Sequence, residues 1–284
     1  MNRHLARALA VLVCCAPVFA GAQNASASVP PQVAGTPKTA LTWYGQAAFR
    51  VVTPSGRVLL IDPWITNPVN PSGKQDLADL KKVDLILISH GHFDHVGDAV
   101  EIAKKTKARL VTTADQGAMY AQHLGYPADQ MGYDSLGNVG GSVSFFDGEV
   151  KITFVNAVHS SAISVKEKGV EVGYAAGAPI GFVIAIRNGP TLYHTGDTDV
   201  FTDMQLLRSM KVTLMLACIG DHFTMGPERA AEAVALVQPA KVAPMHYGTF
   251  PVLTGTPAQF AAALKAKDML LRYQPLQLHE TLEL

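Results

Sequence analysis

The sequence predicts an α/β fold in which two β-sheets stack face to face with helices on their outer sides. Three observations predict it. Of the 284 residues 48% are hydrophobic and 16% charged, enough apolar side chain for a large core. Hairpin patterns are followed by alternating strands and helices, and this succession occurs twice. In both halves the polar clusters fall directly after apolar strands. No linker, low-complexity run or charge block interrupts residues 40–284, which predicts one folded domain there.

The first residues have a different job. Arg3 and Arg7 accompany an apolar run over residues 8–19 that is too short to span a bilayer, and Ala20-Gly21-Ala22 supplies a small-x-small cleavage site. Residues 1–22 therefore read as a secretory signal peptide. A periplasmic or secreted protein, with no stable membrane insertion after cleavage, is the expectation. Residues 23–39, rich in Ala, Ser, Pro and Gln and without helical or strand period, read as a disordered leader. Cleavage would remove Cys14 and Cys15 along with two arginines, leaving Cys218 and 21 basic against 23 acidic groups. One thiol forms no internal disulfide. No basic stripe marks a nucleic-acid binder, so the expected partner is a small-molecule substrate. Oligomeric state is left open.

The elements follow in order. Residues 48–53 and 58–61 flank Pro54-Ser55-Gly56 and read as a hairpin. Residues 83–89 form a compact apolar strand. Residues 99–107 read as a helix ending in lysines, which suit the negative end of its dipole. A strand at 110–113 and a helix at 116–124 continue the alternation. Two hairpins come next, 143–146 with 150–157 around Asp147-Gly148, and 182–186 with 191–193 around Asn188-Gly189. The remainder reads helix 204–210, strand 212–217, helix 228–237, strand 241–244 and helix 257–267. Residues 160–179 read as a loop over the site.

The chemistry concentrates in His90-Gly91-His92-Phe93-Asp94-His95, where the apolar strand ends. Positions 90, 92 and 94 alternate, so an extended backbone aims them to one side, and His95 points elsewhere. Two imidazoles brought to one point, with a carboxylate and an imidazole brought to a neighbouring one, suit a two-metal site. Zinc takes both ligand types.

His-x-His-x-Asp-His behind a hydrophobic strand resembles the signature of the metallo-β-lactamase superfamily. The superfamily's other ligands match in order His159 in Asn156-Ala157-Val158-His159, Asp197 in Gly196-Asp197-Thr198, and His246 in Pro244-Met245-His246-Tyr247, each after a strand. The likeness covers residues 42–273. It is nearest to a bacterial branch of small metal-dependent hydrolases related to ascorbate-6-phosphate lactonase. The resemblance implies a four-layer αββα sandwich, with His90, His92 and His159 on one ion, Asp94, His95 and His246 on a second, and Asp197 bridging. Asp62, before Pro63, matches an early aspartate that supports a ligand histidine; a plain turn aspartate is the alternative. His194 reads either as a buried strand histidine or as a substrate contact. Asp221, His222 and Thr224 follow another apolar strand and are candidates to line the pocket. His123 and His279 lie outside every motif and are expected in solvent, and Cys218 in the core.

The resemblance thus implies a hydrolase with two divalent ions, zinc first and Mn²⁺ or Fe²⁺ as alternatives. A bridging water acidified to hydroxide would attack, and Asp94 would shuttle the proton. Asp197 stands where the β-lactamases with a cysteine ligand carry Cys, which disfavours that subclass. Export and the missing basic surface disfavour processing of transfer RNA. Lactone or ester hydrolysis is expected. A phosphodiesterase on a small molecule or lipid is the alternative, and a non-catalytic metal-binding protein is the reading from another class.

Overall fold

The computed structural model describes residues 38–284; the expected signal peptide and residues 23–37 of the expected leader lie outside the described residues. β1 (Ala40–Trp43), β2 (Phe49–Val52) and β3 (Val58–Ile61) form an antiparallel meander, with Val52 opposite Val58 across the Pro54-Ser55-Gly56 turn. Then come α1 (Gly73–Asp79), β4 (Leu85–Leu87), the single turn α2 (Phe93–Val96), α3 (Ala99–Thr106), β5 (Arg109–Thr113), α4 (Ala114–Met119) and β6 (Leu136–Gly137). Three hairpins follow: β7 (Ser142–Phe145) with β8 (Val150–Asn156), β9 (Ala162–Glu167) with β10 (Val170–Ala175), and β11 (Ile180–Ile186) with β12 (Thr191–His194). β13 (Leu214–Cys218), α5 (Pro227–Val237), β14 (Lys241–Met245), α6 (Pro257–Ala266) and β15 (Thr281–Glu283) come last.

One sheet has the order β15-β1-β2-β3-β4-β5-β6, the other β14-β13-β12-β11-β8-β7, and β9 and β10 pair apart from both. Each large sheet joins an antiparallel part to a parallel one: β3 to β6 in the first, β12 to β14 in the second. Parallel neighbours need crossovers: α1 lies between β3 and β4, α3 between β4 and β5, α4 between β5 and β6, the 3₁₀ helix Thr202–Met210 between β12 and β13, and α5 between β13 and β14.

The period of two sorts the side chains into layers. Leu59 and Ile61 share a core with Phe154, Phe182, Ile184 and Leu192 of the second sheet. Val58 and Leu60, on the opposite face, pack with Ile86, Leu110 and Ile102 of α3. Ala230 and Val234 of α5, with Phe260 and Leu264 of α6, cover the second sheet. Two mixed sheets flanked by helices result, the expected α/β sandwich. Among the described residues no helix is long and apolar enough to cross a membrane.

Four expectations need correction. Thr39, placed in the disordered leader, exchanges backbone hydrogen bonds with Leu284 at 3.2 and 2.8 Å and is buried. Residues 204–210 lie in a 3₁₀ helix, Thr202–Met210, because Met204, Leu207 and Met210 recur every third residue and a three-residue turn puts them on one side. The loop at 160–179 is mostly the β9–β10 hairpin, turned by Lys168 and Gly169 at φ of +49° and +86°. The helix at 116–124 passes into a π-helical segment, Tyr120–Leu124.

Both sheets end in the same region. Asp62 follows β3, His90 comes shortly after β4, Asp197 after β12, and His246 directly after β14. The β13 exit is packed tightly there: Gly255 donates its N–H to Gly220 O at 3.1 Å, and a Cβ on it would overlap the Ile219 carbonyl oxygen. Gly255→Ala is therefore expected to lower stability by about 2 kcal/mol or more, the cost of forced overpacking. A urea unfolding curve checks it. A midpoint unchanged from wild type would show that this segment yields freely.

Candidate metal centre

The turn α2 decides how the histidine motif is read. β4 ends at Leu87, the chain bends over residues 90–92, and the N–H groups of His95 and Val96 both donate to His92 O at 3.0 Å to open the turn. His90 and His92 reach one point, but by a bent chain and not by the extended alternation expected, and Asp94 does not join them. One helical turn brings the sequence neighbours Asp94 and His95 to the same second point.

Two groups form. His90, His92, His159 and Asp197 offer ligand atoms within 4.8 Å of one another, and so do Asp94, His95, Asp197 and His246. In the first group His92 Nδ1 lies 3.0 Å from His90 Nε2 and 3.3 Å from His159 Nε2. In the second, Asp94 Oδ2 lies 3.6 Å from His95 Nε2 and 3.3 Å from His246 Nε2. Asp197 belongs to both: Oδ1 is 3.3 Å from His95 Nε2, and Oδ2 is 3.1 Å from His246 Nε2 and 3.6 Å from His159 Nε2. All seven residues matched as ligands from the sequence come together.

Hydrogen bonds on the far side of the rings fix where their lone pairs point. Asp62, wholly buried, accepts Ser89 N–H at 2.7 Å, Ser89 O–H at 2.6 Å and His95 Nδ1–H at 2.7 Å. With its proton given to Asp62, the Ser89 hydroxyl accepts from His90 Nδ1 at 3.0 Å. Both rings then turn a bare Nε2 toward the groups, as metal ligation requires. His95 Nε2, His246 Nε2 and Asp197 Oδ1 are buried without any hydrogen-bond partner. Such atoms are costly unless a cation satisfies them, so the donor set fits divalent metal ions.

Charge is divided unequally. Burial, helped by the His95 charge, holds His90 well below the ordinary imidazole value; burial also lowers His92 and His159. Burial opposes charge on His95 and His246 too, but the Asp197 and Asp94 carboxylates override it. His95 is raised well above its ordinary value, and His246 is pushed up to about 9. Against burial, which would raise them, His95 and His246 hold both carboxyls well below the ordinary carboxylate value. The first group therefore offers neutral nitrogens, and the second a strong pull on positive charge.

The remaining candidates sort cleanly. Asp62 is the support for His95 that its motif suggested, not a plain turn residue. His194 is buried; its Nε2 donates to Ala47 O at 3.0 Å and its Nδ1 accepts Gly196 N–H at 3.1 Å, so it braces the turn that carries Asp197 instead of meeting substrate. Asp221, His222 and Thr224 do not line the cavity, and Phe223 between them does. Positive φ at Asp221 and His222 reverses the chain there, and Asp221 is occupied by the Thr254 hydroxyl at 3.3 Å. His123 is half-buried and stacks on Tyr174 at 3.9 Å, whereas His279 is exposed, as expected, while also meeting Asn70 Oδ1 at 2.9 Å and Asp76 at 3.1 Å. Cys218 is buried in the core, as expected.

Sequence reasoning passed over Gln46. Its side-chain amide donates to Asp94 Oδ2 at 2.9 Å, its carbonyl oxygen Oε1 accepts from Thr249, and its backbone carbonyl accepts the N–H of His246 at 3.0 Å. It thus ties two members of the second group together. A lone glutamine in a loop between β1 and β2 carries no motif, so only the tertiary fold reveals it.

A cavity of about 420 Å³ opens on the two groups. His92, Asp94, His159, Asp197 and His246 form its floor, and Phe93, Ile163, Phe223, Phe250 and Leu253 much of its walls; no lysine or arginine lines it.

Comparisons with known proteins agree with this geometry. The family described as "Beta-lactamase superfamily domain" matches residues 57–247. A protein of Thermodesulfovibrio yellowstonii called a UPF0173 metal-dependent hydrolase is 51% identical over 253 residues, covering 89% of this chain and 94% of that protein. One of the same name from Anaeromyxobacter dehalogenans is 53% identical over 241 residues, covering 84% and 85%. Among solved structures, Igni18, described as a novel metallo hydrolase from Ignicoccus hospitalis, superposes with a TM-score of 0.74 at 32% identity, over 87% of this chain and 98% of that one.

Two groups sharing one carboxylate imply two metal equivalents per chain. Metal analysis of protein saturated with zinc is expected to find both. Asp197→Ala should lose occupancy in both groups, because it removes a ligand and the charge that offsets two dications. His123→Ala, outside the groups, is expected to keep two. Undiminished metal in Asp197→Ala would overturn the shared role.

Proposed function

The chain belongs to the UPF0173 family of metal-dependent hydrolases in the metallo-β-lactamase superfamily, and from that premise we propose that it cleaves a neutral lactone or ester at a dinuclear zinc centre. The observation that carries the choice of substrate is the cavity wall. A phosphodiester brings a full negative charge, which recognition sites meet with arginine or lysine. Here neither lines the cavity, so the charge of a phosphate would rest on the two metal ions alone, with no side chain to hold its remaining oxygens. An uncharged acyl group needs no such side chain. The sequence likeness to ascorbate-6-phosphate lactonase supports ring-ester chemistry, while the same wall argues against a phosphorylated ring as the substrate.

His90, His92 and His159 would hold one ion, Asp94, His95 and His246 the other, and Asp197 both. Nitrogen-rich sites with carboxylates favour zinc, with manganese or iron as alternatives. When bound, two such ions supply Lewis acidity, lowering the pKa of water and polarising a carbonyl oxygen. The chain's own residues do the rest. Asp94 sits on the cavity floor with Oδ2 steadied by Gln46, placed to take the proton that the attacking water releases. Oxygen adds to the acyl carbon, the acyl C–O bond breaks, and the proton passes to the departing oxygen, yielding acid and alcohol. Asp62 and Ser89 keep the His95 and His90 rings from turning, and the apolar walls keep other water out.

Assays of zinc- or manganese-loaded protein against lactones, carboxylic esters, thioesters, β-lactams and phosphodiesters test this reading; turnover confined to phosphodiesters would overturn it. Asp94→Asn, fully metallated, is expected to lose roughly two to four orders of magnitude in kcat, the usual range for removing a proton-transfer group. A kcat near wild type would remove Asp94 from that role. The Arg-led apolar run and Ala20-Gly21-Ala22 support export to the periplasm or medium. Mass spectrometry of the exported protein should find Gln23 first; a chain still starting at Met1 would count against it.

A further inference from the structure

We propose that the cavity is a subsite for the apolar acyl part of the substrate, and that Gly173 sets how much of it fits. The proposal rests on the hydrolase reading above and adds the chemistry on one side of the scissile bond.

The β9–β10 hairpin supplies one wall. Gly173 is paired with Ser164, so the two share a face, and Ala162 lies two residues from Ser164 on the same face. All three line the cavity, and all are small. The neighbouring positions carry Tyr174, which stacks on His123, and Ile163, which is buried in the core and also touches the cavity. A Cβ on Gly173 would meet nothing within 4 Å, and its backbone lies outside the left-handed region, so no strain or crowding requires glycine there. Open space beside the site is what the glycine provides.

Two observations point to an apolar occupant of that space. Phe93 and Phe223 stand at the cavity with 66% and 59% of their surface exposed, and Phe93 packs edge-on against Trp64 at 5.5 Å. Exposed aromatic rings gathered beside a concave site mark a surface that gains by being covered. The cavity lining meanwhile includes no lysine or arginine, so no side chain there calls for an anionic occupant. An acyl chain with its carbonyl over the floor and its tail between Phe223 and the hairpin fits both. Neutral polar groups on the walls are few, chiefly the hydroxyls of Ser160 and Ser164.

The test uses p-nitrophenyl esters from acetate to decanoate on the metal-loaded protein. In wild type, kcat/KM should climb roughly three- to fourfold per added methylene until the cavity fills. Gly173→Leu is expected to cut the decanoate-to-acetate ratio by about tenfold or more, and Phe223→Ala to flatten the climb. Val170→Ala, on the same hairpin but outside the cavity, should leave the ratio as it is. A flat dependence in wild type, or an unchanged ratio in Gly173→Leu, overturns the proposal. Binding of 2-undecanone, which cannot be hydrolysed, is measured by calorimetry alongside. It should be tight to wild type and about tenfold weaker to Gly173→Leu. Ketone binding without turnover of any ester would sink the ester reading and leave the subsite standing; turnover of esters without ketone binding or length dependence would do the reverse.

Discussion

Five imidazoles and two carboxylates are packed against one another, five of the seven residues buried, and the cost of doing so governs how each loop of the site is built. Every ring nitrogen that faced away from the groups would be a second burial penalty. His90 and His95 avoid it through Ser89 and Asp62. Asp62 carries a buried negative charge of its own, offset by two donors from Ser89 and one from His95. His95 Nε2, His246 Nε2 and Asp197 Oδ1 stay unsatisfied facing inward, where positive charge is wanted, and His246 Nδ1 is left without a partner on the far side of its ring. The same Coulomb pull that raises His95 and His246 is what a divalent ion would feel more strongly, since a proton brings one charge and the ion two.

Such a concentration of repulsive groups needs a stiff frame, and the two sheets provide it. Asp62, His90, His159, Asp197 and His246 lie just beyond the ends of β3, β4, β8, β12 and β14, whose ladder hydrogen bonds fix the backbone that leads into the site, and Asp94 and His95 sit on α2. Two of them accept strain at that step: Asp62 sits at φ of +43° and His246 at +57°, positions where a side chain is disfavoured. Asp62 N–H bonds Leu87 O at 2.9 Å, and His246 N–H bonds Gln46 O at 3.0 Å, so neighbouring strands and loops hold them there. The large core absorbs these local costs.

Much of this was legible in the residues themselves, for physical reasons that also mark where reading stopped. Hairpins around Pro54-Ser55-Gly56, Asp147-Gly148 and Asn188-Gly189 were plain because such turns constrain backbone angles strongly enough to be written in two or three residues. The β9–β10 hairpin was missed: Lys168-Gly169 is a weaker turn pair, and its strands lie largely in solvent, where alternation between buried and exposed positions is not enforced. α1 was missed because it starts on a glycine after a Pro- and Asn-rich stretch. His90, His92, Asp94 and His95 were legible in their spacing behind a strand, whereas His159, Asp197 and His246 were matched only through the resemblance to the superfamily. Gln46 was neither, since its role is a contact across 48 residues with Asp94. At 221–224 polarity misled: the reading favoured Asp221, His222 and Thr224, but a reversal of the chain turned Phe223 inward.

Phe223 changes how the site's electrostatics should be understood. A hydrolase needs its charges to act on the substrate and not on solvent, and charge interactions strengthen as water is excluded. Walls of Phe93, Ile163, Phe223, Phe250 and Leu253 lower the polarity around the floor as well as offering contact area. The apolar cavity and the crowded His/Asp floor are therefore complementary parts of one device. Polar walls would screen the carboxylates that gather positive charge, and an apolar cavity over a neutral floor would bind without reacting. The proposed neutral ester would suit that combination, its uncharged tail covering the walls while its carbonyl gains from the charge beneath.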